Sequence, residues 1–274
     1  MRGLAKASEL LFRRRARVAL GAIVLFAAAA GPAYSADCSL EPQGEGRVAA
    51  IVDPRGFRLQ DGREVRLAGI EPATPEKPLS GKSLANGTPA LAAILTNREV
   101  KLRGEDDTPD RYGRQSAYVF LLPSETLVQS ELLAQGEALV AATVTDKECA
   151  AALMAAEAAA REAKRGVWSD PAAIKNSESP GDILAGIGRF MLVEGKVLSV
   201  RQAGATTYLN FGRNWTRDFA VTISRRVLAV FEAAGVAPKS LENRRIRVRG
   251  YVEAHGGPRM ELLRVGQIEV LGGK

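Results

Sequence analysis

Arg66 and Glu71 lie close together in the stretch Glu64-Val65-Arg66-Leu67-Ala68-Gly69-Ile70-Glu71-Pro72. Charged and apolar residues alternate through Leu67, as in a half-buried strand. Gly69 and then Glu71-Pro72 turn that strand out into a loop. A guanidinium on a strand suits a phosphate, because its fork donates two hydrogen bonds at once. A carboxylate at the strand's mouth offers hard oxygen to a divalent cation. A second stretch, Asp110-Arg111-Tyr112-Gly113-Arg114, supplies another guanidinium just before the apolar run Ala117-Tyr118-Val119-Phe120-Leu121. The competing reading is structural: Arg66 and Arg114 pair with Glu71 and Asp110 as ordinary surface ion pairs.

Two further stretches follow in order. Val128-Gln129-Ser130-Glu131-Leu132-Leu133-Ala134-Gln135-Gly136-Glu137-Ala138-Leu139-Val140 reads as a helix, a glycine and a closing strand, and Arg165-Gly166-Val167-Trp168-Ser169 ends an Ala-rich helix. Together the four stretches, over about residues 45–170, resemble the thermonuclease (staphylococcal-nuclease-like) family. The resemblance implies a barrel of the oligonucleotide-binding (OB) type with added helices. It also implies phosphodiester hydrolysis with a bound calcium ion, a carboxylate base and two Arg side chains on the phosphate, which act by stabilising the charge of the transition state. Carried over by position, Arg66, Tyr112 and Arg114 are the phosphate-binding residues, and Arg66 and Arg114 are also the catalytic arginines. Asp110 and Tyr112 shape the loop of Arg114, and Glu71 stands at a metal position.

Elsewhere the family pattern fails. In Asp53-Pro54-Arg55-Gly56-Phe57, Arg55 stands where the resemblance places the first metal carboxylate, and Thr74 stands at the general base. A cation repels calcium, and a Thr hydroxyl takes no proton from water near neutral pH. Glu76 is the carboxylate that a bent loop brings in as a substitute. The reading is therefore a binder of nucleic acid or another phosphate polyanion, with hydrolysis impaired or lost and no cofactor. Arg55 is expected in the metal pocket, paired with Glu71. One alternative is an active calcium-dependent nuclease using Glu71 and Glu76. Another is a periplasmic scaffold or protein-binding module, motivated by the modest charge of the chain beyond residue 35.

The patterning predicts a mainly β chain with helices, α+β in class. Strands are expected over 46–52, 57–60, 63–70, 99–103 and 115–122, with helices over 83–96, 127–135 and from Asp146 to Gly166. Residues 171–188, rich in Pro, Gly and Ser, read as a linker. Beyond them, the order of three strands, a helix and two strands over 189–274 predicts a second small OB-like barrel. Alternation in Arg244-Arg245-Ile246-Arg247-Val248-Arg249 puts arginines on one strand face. With Tyr208, Phe211, Trp215, Phe219 and Tyr251 interleaved nearby, the pattern suggests a single-stranded nucleic-acid groove made by Arg244, Arg245, Arg247 and Arg249. The competing reading gives the aromatics to the core and the arginines to solvent.

Charge is unevenly spread. The 274 residues carry a net +7, of which residues 1–35 hold six bases and one acid. Residues 36–170 are net −5 and residues 171–274 net +7, so any basic surface belongs to the last third. Arg13-Arg14-Arg15-Ala16-Arg17, the apolar run Val18–Ala30 and Ala33-Tyr34-Ser35 predict a secretory signal peptide cut after Ser35, with a retained anchor as the alternative. An exported, periplasmic or secreted protein follows, without stable membrane insertion once cleaved. The two cysteines, Cys38 and Cys149, then predict one disulfide. Two Cys and one His leave too few ligands for structural zinc, and a lone His255 argues against a Ser-His-Asp set.

Overall fold

The computed structural model describes residues 40–73, 87–141, 143–144 and 146–272. The signal segment, Cys38, Thr74 and Glu76 lie outside the described residues. In the first barrel, β1 (Glu41–Asp53), β2 (Gly56–Leu59) and β3 (Glu64–Leu67) form a meander, and β4 (Ile70–Pro72) leaves it. Helix α1 (Gly87–Leu95) is followed by β5 (Glu99–Gly104), β6 (Arg114–Leu121), β7 (Thr126–Leu127), α2 (Val128–Gln135), β8 (Ala138–Val140) and α3 (Lys147–Glu162). The sheet order β3-β2-β1-β5-β6 closes through a parallel β3–β6 pairing, which is the OB arrangement. Alternation decides what faces the core: Val65 and Leu67 are buried, so Glu64 and Arg66 point outward.

Two local devices hold the end of β3. Gly69 has φ +75°, and a Cβ there would press on the side chains of Val144, Tyr118 and Leu153. Gln129, fully buried on α2, accepts from Val119 N at 3.2 Å and donates to the carbonyls of Ala117 at 2.9 Å and Ala68 at 3.3 Å. It thereby ties α2 to both β6 and the turn that leads to Glu71. Asp146 caps α3, accepting from Cys149 N at 2.7 Å.

Residues 171–188, expected as a linker, are ordered. They carry β9 (Ile174–Asn176) and α4 (Pro180–Leu184), and β9 adds a parallel edge to β10 (Phe190–Lys196). The composition that suggested a linker supplies a Pro at the start of a short helix instead. The first of the strands expected over 189–274 is broken into β10 and β11 (Ser199–Ala203). Then come β12 (Thr206–Asn210), β13 (Ala220–Ser224), α5 (Arg225–Ala233), β14 (Arg245–His255), β15 (Gly257–Leu262) and β16 (Ile268–Leu271). The order β11-β12-β13-β15-β14-β10, with β13 and β15 parallel, repeats the strand order of the first barrel. β10 and β11 act as two halves of one bent first strand.

Each barrel has its own core. Phe57, Leu67, Leu102 and Val119 belong to the first, and Phe219, Val221, Ile246 and Val248 to the second. The two barrels nonetheless belong to one compact unit. A third apolar cluster joins them: Ala73, Leu139, Ala160 and Trp168 meet Leu192, flanked by Ile174 and Phe190.

Candidate phosphate site and the Arg55–Glu71 pair

Arg66 and Arg114 are brought together. β3 and β6 run side by side with Glu64 opposite Arg114 and Arg66 opposite Ser116. The two guanidiniums line one notch with Asp53, Glu64 and the Gly56 backbone. Its volume is about 10 Å³, the lower limit for a single water.

Arg114 is held by its own loop. Its Nε and Nη2 donate to Asp110 Oδ2 at 3.0 and 2.7 Å. Asp110 Oδ1 accepts from the backbone of Tyr112 at 2.8 Å and of Arg114 at 3.1 Å. The Arg114 side chain is the chief cause that lowers the Asp110 carboxyl to about 2. Tyr112 is 64% exposed, with the Arg111 and Arg114 guanidiniums 4.7 and 4.8 Å from its ring centroid. The structural pairing of Arg114 with Asp110 is thus present, while Arg66 has no ion pair among the described residues.

Arg55 is where the departure from the family pattern led us to expect it. From the β1–β2 turn its Nη1 reaches Glu71 Oε1 at 2.5 Å and donates to Ile70 O at 3.1 Å. The two side chains are 17% and 13% exposed, so the pair is largely desolvated. Asp53 fixes the turn by accepting from Arg55 N at 2.9 Å. Tyr251 of the second barrel leans on this pair. Burial first, and then the Glu71 charge, push its phenol up, with Arg55 opposing. Phe190 meets the Tyr251 ring edge-on, with centroids 5.5 Å apart. The strand that carries Glu71 also lies under the joint, because Glu71 pairs with Leu139. Among the described residues no three His, Cys, Asp or Glu side chains gather as a metal set. Calcium takes six or more oxygens, and one carboxylate already matched by a guanidinium does not fit it.

The residues matched here can now be named by family. Residues 64–170 match the family model described as staphylococcal nuclease homologue. The first barrel is a thermonuclease-like domain. The match begins at Glu64, so β1, β2 and Arg55 precede it. No curated protein matches the chain. Among the described residues no helix is long and apolar enough to cross a membrane.

Against the thermonuclease-like domain, the expected arginine groove of the second barrel does not form. Ile246 and Val248 enter the core, so alternation does place Arg245, Arg247 and Arg249 on the opposite face. At Arg249 that face is covered by the first barrel. Arg249 is 1% exposed and grips the fully buried Glu157 with both nitrogens, each at 3.0 Å. It also donates to Val140 O at 3.1 Å and contacts Glu269. Arg247 bridges Glu194 at 2.5 Å and Glu269 at 2.9 Å. Glu157 in turn accepts from Val140 N at 2.7 Å and from Arg161 at 3.2 Å. Burial alone raises the Glu269 carboxyl, but Arg249 and Arg247 hold it below its ordinary value. Arg245 stays largely exposed, 3.6 Å from Glu194, and Arg244 is also exposed. A strand pattern shows which residues share a face, and nothing in it shows what packs against that face.

The aromatics divide as well. Phe211 and Phe219 fill the core with ring centroids 5.1 Å apart, while Trp215 is 74% exposed. His255 sits at the surface 3.1 Å from Glu253.

Proposed function

We propose that this chain is an exported thermonuclease-like protein that binds nucleic acid or another phosphate polyanion and has lost metal-dependent phosphodiester cleavage. The observation that carries the reading is the Arg55–Glu71 pair at the metal position. Its guanidinium supplies there the positive charge that the resembled family takes from calcium, so Glu71 stays compensated without a cofactor. A guanidinium activates no water, and Thr74 offers no base. Arg66 keeps its fork toward the notch. Arg114 is set beside it by Asp110, which a phosphate displaces by offering the same fork two oxygens. Export rests on the basic and apolar segment before Ser35. It also rests on the expected pairing of Cys38 with Cys149, which sits fully buried at the first turn of α3.

A melting scan and a nuclease assay test this. Millimolar calcium should neither raise Tm nor produce cleavage of single-stranded DNA or RNA. Changing both Arg55→Asp and Thr74→Glu should create a calcium-dependent rise in Tm. Calcium-dependent cleavage by the unaltered chain, abolished by Glu71→Ala, would overturn the proposal and favour the active nuclease with Glu71 and Glu76.

A further inference from the structure

The second barrel carries a groove on the side of the sheet away from its core. Ser199, Arg201 and Ala203 alternate along β11, and Tyr208 and Asn210 along β12, all facing it. Their strand partners' neighbours Leu209 and Thr207 turn into the barrel and are buried. Register sets Arg201 directly opposite Tyr208 and Ser199 opposite Asn210. Arg259 comes from β15 and places its guanidinium 5.6 Å from the Tyr208 ring centroid. The loop after β12 closes one end with Arg213 and Trp215. That loop is preformed: Asp218 accepts from Asn214 N at 2.7 Å, and the Asn214 side chain accepts from Thr216 N at 3.1 Å and Thr216 Oγ1 at 2.7 Å.

The cavity is about 750 Å³, within the range of ligand sites. Its lining holds three guanidiniums and no carboxylate. Arg201, Arg213 and Arg259 have no ion pair among the described residues, in contrast to Arg247 and Arg249 on β14. An indole left 74% exposed beside them is a flat apolar surface open to solvent. Guanidinium forks suit phosphate, and exposed aromatic faces suit bases, so the charge and the shape call for one class of ligand.

We propose that this groove binds single-stranded nucleic acid, with phosphates on Arg201, Arg213 and Arg259 and bases stacked on Trp215 and Tyr208. The proposal deepens the polyanion reading above by naming the ligand class and placing it on the second barrel.

The test titrates the full chain with an oligothymidine of about eight nucleotides and follows tryptophan fluorescence. The protein has two Trp, and Trp168 is only 6% exposed, so quenching by a stacked base reports Trp215. Trp215→Ala should weaken binding about tenfold, within the usual effect of removing one stacking partner. Three neutralised phosphates on a single strand give a slope of about −2 in log K against log salt. The variant with Arg201, Arg213 and Arg259 all changed to Ala should bring that slope close to zero. All these residues are solvent-facing, and circular dichroism confirms that the variants fold. Absence of binding, or binding that these variants leave intact, overturns the proposal. Binding lost instead through Arg66→Ala places the strand on the first barrel, which overturns this site but not the proposed function. If dextran sulfate competes as well as the oligonucleotide and Trp215→Ala binds normally, the groove reads charge alone and the nucleic-acid assignment fails.

Discussion

Removing either partner of the Glu157–Arg249 contact should destabilise the protein severely. Both side chains are at most 1% exposed, and they join α3 of one barrel to β14 of the other. Breaking a buried pair leaves an uncompensated charge, which costs about 3–5 kcal/mol. Arg249→Met leaves Glu157 with Val140 N and with Arg161, which is 24% exposed and so a weaker partner. Glu157→Met leaves Arg249 with Glu269 and Val140 O, and it strips Val140 N of its acceptor, adding about 1–3 kcal/mol. Arg249→Met should therefore cost about 4 kcal/mol, or about 8–16 °C in Tm for a chain of this size, and Glu157→Met about 6 kcal/mol. Urea unfolding of both single variants and the double variant measures the coupling directly. The double variant should cost far less than the sum, with a coupling near 3 kcal/mol, because no charge is stranded. The single variants should also unfold in two steps where the unaltered chain unfolds in one. Single costs below about 1 kcal/mol, or strict additivity, would refute the claim that this contact fastens the barrels.

Asp110 should titrate by NMR with a midpoint of about 2, and Arg114→Ala should return it toward the ordinary 3.8. Because its folded pKa is depressed, what it adds to stability is present above pH 3.8 and fades as pH falls toward 2. Gln129→Ala strands Val119 N and removes the amide that serves the Ala117 and Ala68 carbonyls. It should cost about 3 kcal/mol in denaturant unfolding, since each buried polar group left unpaired costs about 1–3 kcal/mol.

Some of this was legible in the sequence. The barrel of the thermonuclease-like domain follows from alternation and from glycines at strand and helix ends. At Gly136, for example, φ is +74° and a Cβ would meet Arg165 O at 2.2 Å. The exchange at Arg55 also predicted its contact with Glu71, because the resemblance sets both positions around one cation. The contact of Tyr251 with that pair was not legible, since it crosses between barrels and no periodicity encodes docking. The arginines of β14 failed for the same reason. Tyr208 was singled out in the sequence, but Arg201 and Arg259, which share its groove, were missed. They approach it from different strands, and only the β11–β12 register and the parallel β13–β15 pairing bring them near.

The Arg55–Glu71 pair has a consequence for the history of the chain. In a free-standing barrel, Arg55→Asp would set a second carboxylate beside Glu71 with no neighbouring domain to disturb. Here the same change sets two carboxylates beside the Tyr251 phenol, next to the Ala73, Leu139 and Leu192 contact that joins the barrels. Like charges so near each other and so little hydrated oppose folding until a cation arrives. A lineage that had already fused the second barrel would meet that step as a loss of stability before any gain in catalysis. On the reading proposed above, the docked second barrel therefore works as a ratchet: any step toward a metal-holding pair of carboxylates runs through a less stable protein.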